Sequence, residues 1–356
     1  MKVLQLIDSL ETGGSERMAV AYANELVDLI DTSFLCVTRK EGLLKSTVDP
    51  GVGYLFLNKK RTLDFKAISK LMKFVSENKI DVIHAHSSSF FYATMLKFLK
   101  PKLRLIWHDH YGQNEMLQHR KFGVLKKCSR YFDVIVSVNE NLKEWAIKNL
   151  KSNKVYYLKN FISENKNDKP TIFLQGSDDL RIVCLANIRE QKDHLNLLRA
   201  FKIVQEGYTS VSLHLLGQMN HDNYYATLQT FIEENKLEKV FFYDAQNGVL
   251  DLLKSCAIGV LSSKSEGLPV ALLEYGLANL PVVCTDVGQC KEVINNHGLL
   301  VSSGSAERLA QAIMVYIENP RRRNEDALTY SKHIRSNYSF EVVKSKILSL
   351  YKSESY

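Results

Sequence analysis

The sequence predicts an α/β protein made of two doubly wound parallel sheets, and three observations predict it. Short apolar runs alternate with segments of helical periodicity from Val3 to Val301, the pattern of strands joined by crossover helices. The alternation breaks once, at residues 163–179, where Asn, Lys, Asp, Pro and Gly crowd together, and it restarts at Arg181; such a stretch reads as a linker. The charge shifts at the same point. Residues 1–170 carry 28 Lys and Arg against 18 Asp and Glu, net +10, and the remainder 19 against 21, net −2. A chain of 356 residues is too long for one ordinary core and suits two domains. The expected division is 1–165 and 180–335, with a terminal helix over 336–356.

In the first domain, Val3 to Ile7 is the opening strand, and Gly13-Gly14-Ser15-Glu16-Arg17 leads into helical spacing from Met18 to Leu26. A glycine pair before a helix lets backbone N–H groups approach an anion closely, although such pairs also make ordinary turns. There is no G-x-G-x-x-G here, so nothing points to a dinucleotide. Phe34–Thr38 and Tyr54–Leu57 read as strands, and Ile68, Leu71, Met72 and Val75 share one face of a helix between Asp64 and Lys79. Asp81–Ala85 and Leu103–Trp107 are the next strands, ending in His84-Ala85-His86 and His108-Asp109-His110. A histidine at a strand end can donate to a phosphate or a hydroxyl near neutral pH. His-x-His can also bind metal, but the sequence shows no third ligand nearby, and no metal is expected.

From Asn114 to Phe132, apolar residues interleave with Arg120, Lys121, Lys126, Lys127 and Arg130. That suits an interfacial helix and equally a packed helix with a solvated basic face. Val134–Val138, a helix through Lys148, and Val155–Leu158 complete this half. The second half runs strand Arg181–Ala186, a basic loop with Arg189 and Lys192, a helix through Val204, and strands at Val211–Leu216 and Val240–Tyr243.

The organising stretch is Ile258 to Thr285. A buried strand, Ile258–Leu261, is followed by a polar loop and by Pro269 at the expected first helical position. The helix ends near Asn279, a tolerated left-handed cap, and Pro281 opens the strand Val282–Cys284. Ligands bind at the carboxyl ends of strands in open parallel sheets, and two carboxylates flank this loop. Glu266 stands just outside the helix, and Glu274 lies five residues inside it, roughly 7 to 8 Å from its start. Backbone N–H groups at the helix start suit phosphate, and carboxylates accept hydrogen bonds from hydroxyls. A sugar on each side of a diphosphate satisfies both, which describes a nucleotide-sugar.

The run Glu266-Gly267-Leu268-Pro269 through Glu274, with Gly276, Pro281-Val282-Val283 and Gly288, resembles the signature of retaining glycosyltransferase family 4. The resemblance implies a GT-B fold, two Rossmann-like domains facing across a cleft, with the acceptor on the first and the donor on the second. It implies that Glu266 of the E-x7-E motif lies near the donor sugar and Glu274 holds the ribose hydroxyls. Gly267, Leu268, Pro269 and Val270 then line the donor diphosphate, with Gly13 and Gly14 near it. Lys192 matches a family cation at that diphosphate. The matching Arg position is Asn187 here, with Arg189 shifted by two; without the resemblance both cations are ordinary loop residues. His108 or His110 matches a cleft histidine, His84 and His86 line the wall, and the terminal segment crosses back onto the first domain.

The expected function is therefore retaining transfer from a UDP- or GDP-sugar to a saccharide, with a lipid-linked acceptor in cell-surface polysaccharide synthesis favoured. The rivals are a non-catalytic nucleotide-sugar-binding protein and a glycoside hydrolase, which needs paired carboxylates but no phosphate-binding helix start. The positive excess in the first half, without any nucleic-acid motif, points to anionic lipid rather than nucleic acid as a partner. No apolar run approaches the ~20 residues needed to cross a bilayer, and Met1-Lys2 runs straight into a strand. A cytoplasmic protein, peripheral on the inner face of the membrane, is expected. The six scattered cysteines read as reduced packing thiols.

Overall fold

The computed structural model describes residues 1–112, 114–163, 169–170, 172–176 and 180–352, with the backbone alone for 114–116. The chain divides into two compact units, Met1–Asn167 with Phe340–Tyr356, and Asp168–Ser339.

Unit 1 alternates β1 (Lys2–Ser9), α1 (Gly14–Glu25), β2 (Thr32–Lys40), β3 (Gly53–Phe56), α2 (Phe65–Glu77) and β4 (Val82–His86). It continues with α3 (Phe90–Leu99), β5 (Arg104–Asp109), α4 (Gly123–Cys128), β6 (Val134–Ser137), α5 (Glu140–Asn149) and β7 (Val155–Tyr157). The seven strands order β3-β2-β1-β4-β5-β6-β7, and every pairing is parallel. Both faces are covered, as parallel sheets require. Ile68, Leu71 and Val75 of α2 lie in the core on one face, where the Asp64 carboxylate caps the helix by accepting the Ala67 N–H at 3.1 Å.

Unit 2 holds β8 (Arg181–Leu185), α6 (His194–Gly207), β9 (Ser212–Leu216), α7 (Asn223–Glu234), β10 (Val240–Tyr243), α8 (Val249–Lys254) and β11 (Ile258–Leu261). Then come α9 (Val270–Leu277), β12 (Val282–Thr285), α10 (Cys290–Ile294), β13 (Leu299–Val301), α11 (Ala306–Glu318) and α12 (Pro320–Tyr338). Its strands order β10-β9-β8-β11-β12-β13, again all parallel. The order reverses between β8 and β11, the switch point where a doubly wound sheet opens its ligand crevice.

The last helix, α13 (Phe340–Lys352), belongs to unit 1. Phe340, Val343, Ile347, Leu350 and Tyr351 join Val3, Met18, Tyr22 and Val134 in the core on the second face of that sheet. The terminal segment thus completes the layer that α1 begins. All six cysteines are buried and free, and no helix of the described residues is long and apolar enough to cross a membrane.

Candidate active site

At the switch point of unit 2, the loop after β11 is tied to the loop after β8 by several contacts, an ion pair of Lys264 Nζ with Asp193 Oδ1 at 3.5 Å among them. Lys264 N–H donates to the Gln191 carbonyl at 2.8 Å, Gln191 Nε2 to the Ser265 carbonyl at 2.9 Å, and Ser262 Oγ to the Lys192 carbonyl at 2.9 Å. One more contact is between functional groups. Lys192 Nζ lies 2.6 Å from Glu266 Oε1, and Ser263 Oγ donates to the same oxygen at 2.6 Å. Glu266 is only 5% exposed, so its charge is satisfied by a cation and a hydroxyl rather than by water. Lys192 and Glu266 read as two separate residues in the sequence; the structure makes them one unit. Ser263 is an addition, since a serine in a polar loop carries no signal of its own.

The backbone under Glu266 is braced from below. Gly288 sits at φ +52°, and a Cβ there would lie 2.0 Å from the Glu266 carbonyl oxygen. Gln289 N–H donates to the Gly267 carbonyl at 3.1 Å. Only glycine combines that φ with so close an approach.

Helix α9 starts one residue later than expected. Pro269 has φ −75° and ψ 100°, so it caps the helix and Val270 is the first helical residue. Its ring suits helical φ, but its ψ remains extended to turn the chain out of the loop. Leu268 is buried, which anchors that turn. Asn279 has φ +61° and ends the helix as expected. Glu274 is half-buried on α9. Its neighbour Tyr275 fixes the helix over the sheet: the hydroxyl accepts the Leu185 N–H at 2.7 Å and donates to the Val260 carbonyl at 3.0 Å. Gly276 leaves room for Ile334 of α12, which a Cβ would meet at 2.4 Å.

In the β8 loop, Arg189 is exposed. Asn187, which stands at the expected Arg position, is a structural residue. Its Oδ1 accepts the Gln218 N–H at 2.9 Å and ties the β8 and β9 loops together. In unit 1, Gly13 is the extended residue before α1, and a Cβ on it would come 2.2 Å from Glu16 Oε2. The glycine therefore makes space for the chain's own carboxylate at that helix start. Gly14 is the first residue of α1.

The histidines correct one expectation. A third metal-competent ligand is not visible in the sequence, yet ligand atoms of His84, His86 and His108 all lie within 4.8 Å of one another. The cause is strand pairing: β4 and β5 are neighbours, with His86 in register with His108, so two motifs distant in sequence stack side by side. His84, His86 and His108 are fully buried, inside the strands rather than beyond their ends. Of the four, His110 alone is half-buried. Burial keeps these rings neutral; that of His84 is pushed down to about 3, with desolvation the main cause and His110 adding to it.

The Asn114–Phe132 stretch is also corrected. It is not one helix but two short 3₁₀ segments, Asn114–His119 and Ser129–Tyr131, on either side of α4. Arg120 turns inward: it meets the buried Asp109 carboxylate bidentately at 2.6 and 2.8 Å and lies 4.3 Å from the Trp145 ring. Lys121, Lys126, Lys127 and Arg130 stay exposed. Near them are apolar side chains open to solvent, Val124 (58%), Phe98 (67%) and Tyr131 (39%), with the Phe98 and Tyr131 rings in edge contact.

Comparison with known proteins matches this geometry to a family. Residues 12–166 match the model described as "Glycosyltransferase Family 4" and residues 165–332 that of "Glycosyl transferases group 1". The chain is a GT-B glycosyltransferase. Among its relatives, the O-antigen biosynthesis glycosyltransferase WbnH of Escherichia coli is 25% identical, over 96% of this chain and 98% of that protein. The N,N'-diacetylbacillosaminyl-diphospho-undecaprenol alpha-1,3-N-acetylgalactosaminyltransferase of Campylobacter jejuni is 26% identical over 74% of this chain and 77% of that protein. Among solved structures, Anabaena Alr3699/HepE in complex with UDP and glucose superposes with a TM-score of 0.80 at 16% identity, covering 99% of this glycosyltransferase and 100% of that chain. That likeness establishes the fold. The hydrolase and pure binding-protein readings lose their ground, because the family assignment brings transferase activity with it.

Proposed function

We propose that this glycosyltransferase moves a sugar, with retention of anomeric configuration, from a nucleoside-diphosphate sugar to a lipid-linked saccharide in cell-surface polysaccharide assembly. The observation that carries the donor reading is the buried Glu266 held by Lys192 and Ser263 at the switch point, one turn of loop before the helix that bears Glu274. Glu266 faces the donor sugar and Glu274 the ribose hydroxyls. Gly267 to Val270 line the diphosphate from the start of α9. The Lys192 ammonium has three donors; one is used on Glu266 and the others are available to the leaving diphosphate, whose charge grows as the glycosidic bond breaks. The Anabaena structure's UDP makes uridine sugars the first donors to test, and the acceptor named for the Campylobacter relative supports a lipid diphosphate as the other substrate.

Glu274→Ala should weaken binding of both UDP and the whole donor by roughly 1.5–3 kcal/mol, the worth of hydrogen bonds to a charged group. Titration calorimetry decides it: UDP affinity equal to that of the wild type would remove Glu274 from the ribose.

No metal is expected at the diphosphate, because Lys192, Arg189 and the α9 start already supply positive charge there. Full turnover in excess chelator is the expected result. Activity that returns only with magnesium or manganese would refute it.

The exposed lysines and Arg130 beside Val124, Phe98 and Tyr131 form the membrane-facing surface, on the cytoplasmic leaflet. Each basic residue near anionic lipid contributes about 1 kcal/mol, and the attraction fades as the Debye length shrinks to about 3 Å at 1 M salt. Anionic vesicles should co-sediment with the protein at low salt and neutral vesicles should not. Replacing Lys121, Lys126, Lys127 and Arg130 by Gln should release it with nucleotide affinity intact. A wild-type chain that ignores anionic vesicles would make a soluble acceptor the better reading.

A further inference from the structure

Three imidazoles share the interior of unit 1 with apolar side chains, and hydrogen bonding does not fully account for them. His84 and His86 lie two apart on β4, and His86 is in register with His108 on β5. Residues two apart on a strand share a face. Val82 and Ile106, two residues before His84 and His108, lie in the core that α1 and α13 close, so the three rings sit on that face. Gln5 of β1 stands beside His84 in register, and all four side chains are fully buried. Tyr22 of α1 packs over them, its ring 5.1, 6.0 and 5.8 Å from those of His84, His86 and His108. Two buried polar atoms have no hydrogen-bond partner among the described residues, His108 Nε2 and the Tyr22 hydroxyl. Native interiors leave few groups in that condition, and an ion or a water satisfies those that remain.

The spacing favours an ion. One nitrogen from each of His84, His86 and His108 lies within 4.8 Å of the other two, and His84 Nε2 is 3.2 Å from His108 Nδ1. Two nitrogens on one tetrahedral Zn²⁺, each about 2.0–2.1 Å from it, stand about 3.3 Å apart. That pair therefore already spans one edge of a coordination shell. A histidine that binds metal donates its other ring N–H to a partner, which fixes the nitrogen that faces the ion. Such partners are in place. His84 Nδ1 lies 2.8 Å from the Tyr351 hydroxyl, and His86 Nε2 lies 2.8 Å from the Gln5 carbonyl oxygen. Gln5 Nε2 donates to the same Tyr351 hydroxyl at 3.2 Å, so the two partners brace each other. With N–H groups at those positions, His84 Nε2 and His86 Nδ1 present lone pairs. His86 Nδ1 faces His110 Nε2 at 3.0 Å, and His110, half-buried, is the ring with room to turn aside. Burial holds the three rings neutral, the state that binds metal.

We propose that His84 Nε2, His86 Nδ1 and His108 Nδ1 form a structural Zn²⁺ site inside unit 1, with Gln5 and Tyr351 as positioning residues. Neutral imidazoles suit Zn²⁺, whereas Mg²⁺ and Mn²⁺ prefer oxygen ligands. The ion ties β4 to β5. Through the ring N–H groups of His84 and His86 it passes part of its charge to the Tyr351 hydroxyl and the Gln5 carbonyl, and so holds α13 on the sheet as well. The inference stands on unit 1 alone and does not depend on the glycosyl-transfer reading. It is also compatible with full turnover in excess chelator, because an ion enclosed under α13 is trapped by folding and is not stripped from the folded chain.

The test uses the full chain without a polyhistidine tag, unfolded in guanidinium with excess chelator, desalted, and refolded with or without Zn²⁺. The wild type refolded with Zn²⁺ should keep a stoichiometric amount after EDTA is added, by elemental analysis, and should unfold at higher urea than the chain refolded without it. Co²⁺ in place of Zn²⁺ should give the visible absorption of a tetrahedral nitrogen site. A wild type that retains no metal, or that yields it at once to EDTA, would overturn the proposal and leave an adventitious ion only. His84→Gln, His86→Gln and His108→Gln should each abolish retention, and His297→Gln in unit 2 should not. If His297→Gln loses the metal equally, the site is not the one assigned. Where a histidine variant fails to refold, Tyr351→Phe decides, since it keeps the ring in its buried place and removes only the hydroxyl that orients His84. It should weaken Zn²⁺ binding about 10- to 100-fold, read by competition with a chelating dye. Affinity equal to that of the wild type would place the ion elsewhere.

Discussion

Glu266→Gln is expected to lower turnover by roughly 100- to 1,000-fold, the usual cost of losing one preorganised charge at a reacting centre. UDP affinity should stay within about threefold of wild type, because the charge faces the sugar and not the nucleotide. The substitution keeps the volume and one acceptor oxygen for Ser263 but removes the partner of Lys192, whose Nζ lies 2.6 Å away. Lys192→Met works the other way. It strands a carboxylate that is 5% exposed, and breaking such a pair costs about 3–5 kcal/mol of stability when one charge is left uncompensated. The double variant should then be more stable than Lys192→Met alone, since no buried charge remains. Turnover, UDP calorimetry and urea unfolding of the three variants separate these effects. If Glu266→Gln weakens UDP as much as it slows turnover, Glu266 holds the nucleotide and the roles of the two glutamates are reversed.

Mild acid should destabilise unit 1 well before its carboxylates titrate. His84 is fully buried and its ring is pushed down to about 3 by desolvation first and His110 second. His86 and His108 are lowered for the same leading reason. The unfolded chain takes up protons on these rings from about pH 6.5 downward, and the folded chain does not. Where the unfolded state binds more protons, stability rises with pH. The contribution is thus complete above about pH 7 and is lost as pH falls through 6.5 toward 3. For His84 alone the loss between pH 7 and pH 5 is about 2 kcal/mol, and the other two act in the same sense. Urea midpoints at the two pH values measure it. A midpoint unchanged at pH 5 would mean that the rings are solvated rather than packed.

Most of the fold is legible in the sequence because it is written in local periodicity. The strand Ile258–Leu261, the helix Ala306–Glu318 and the left-handed Asn279 stand where the apolar spacing and cap residues put them. Pro269 sits one position further out than the first helical turn its φ suggests, since proline fixes φ and leaves ψ to the loop. The Asn114–Phe132 stretch departs from its expected helix because periodicity cannot see Asp109 drawing Arg120 inward. The site is legible only in part. Glu266, Lys192 and Glu274 belong to a recognisable spacing, but the contact of Lys192 with Glu266 crosses two loops 74 residues apart in sequence. The histidine cluster is hidden for a similar reason: two His-x-His motifs mean little until β4 and β5 are known to be neighbours.

The placement of α13 bears on the order in which the protein is made. Gln5 and Tyr351 meet across a separation of 346 residues, and the core on one face of the first sheet needs Phe340, Val343, Ile347 and Leu350 to close it. During synthesis, unit 1 therefore waits with an apolar face uncovered, while unit 2 is a continuous segment, Asp168–Ser339, that can fold as soon as it leaves the ribosome. The usual N-terminal-first order of multidomain folding is inverted here. The half of the molecule translated first is the half completed last.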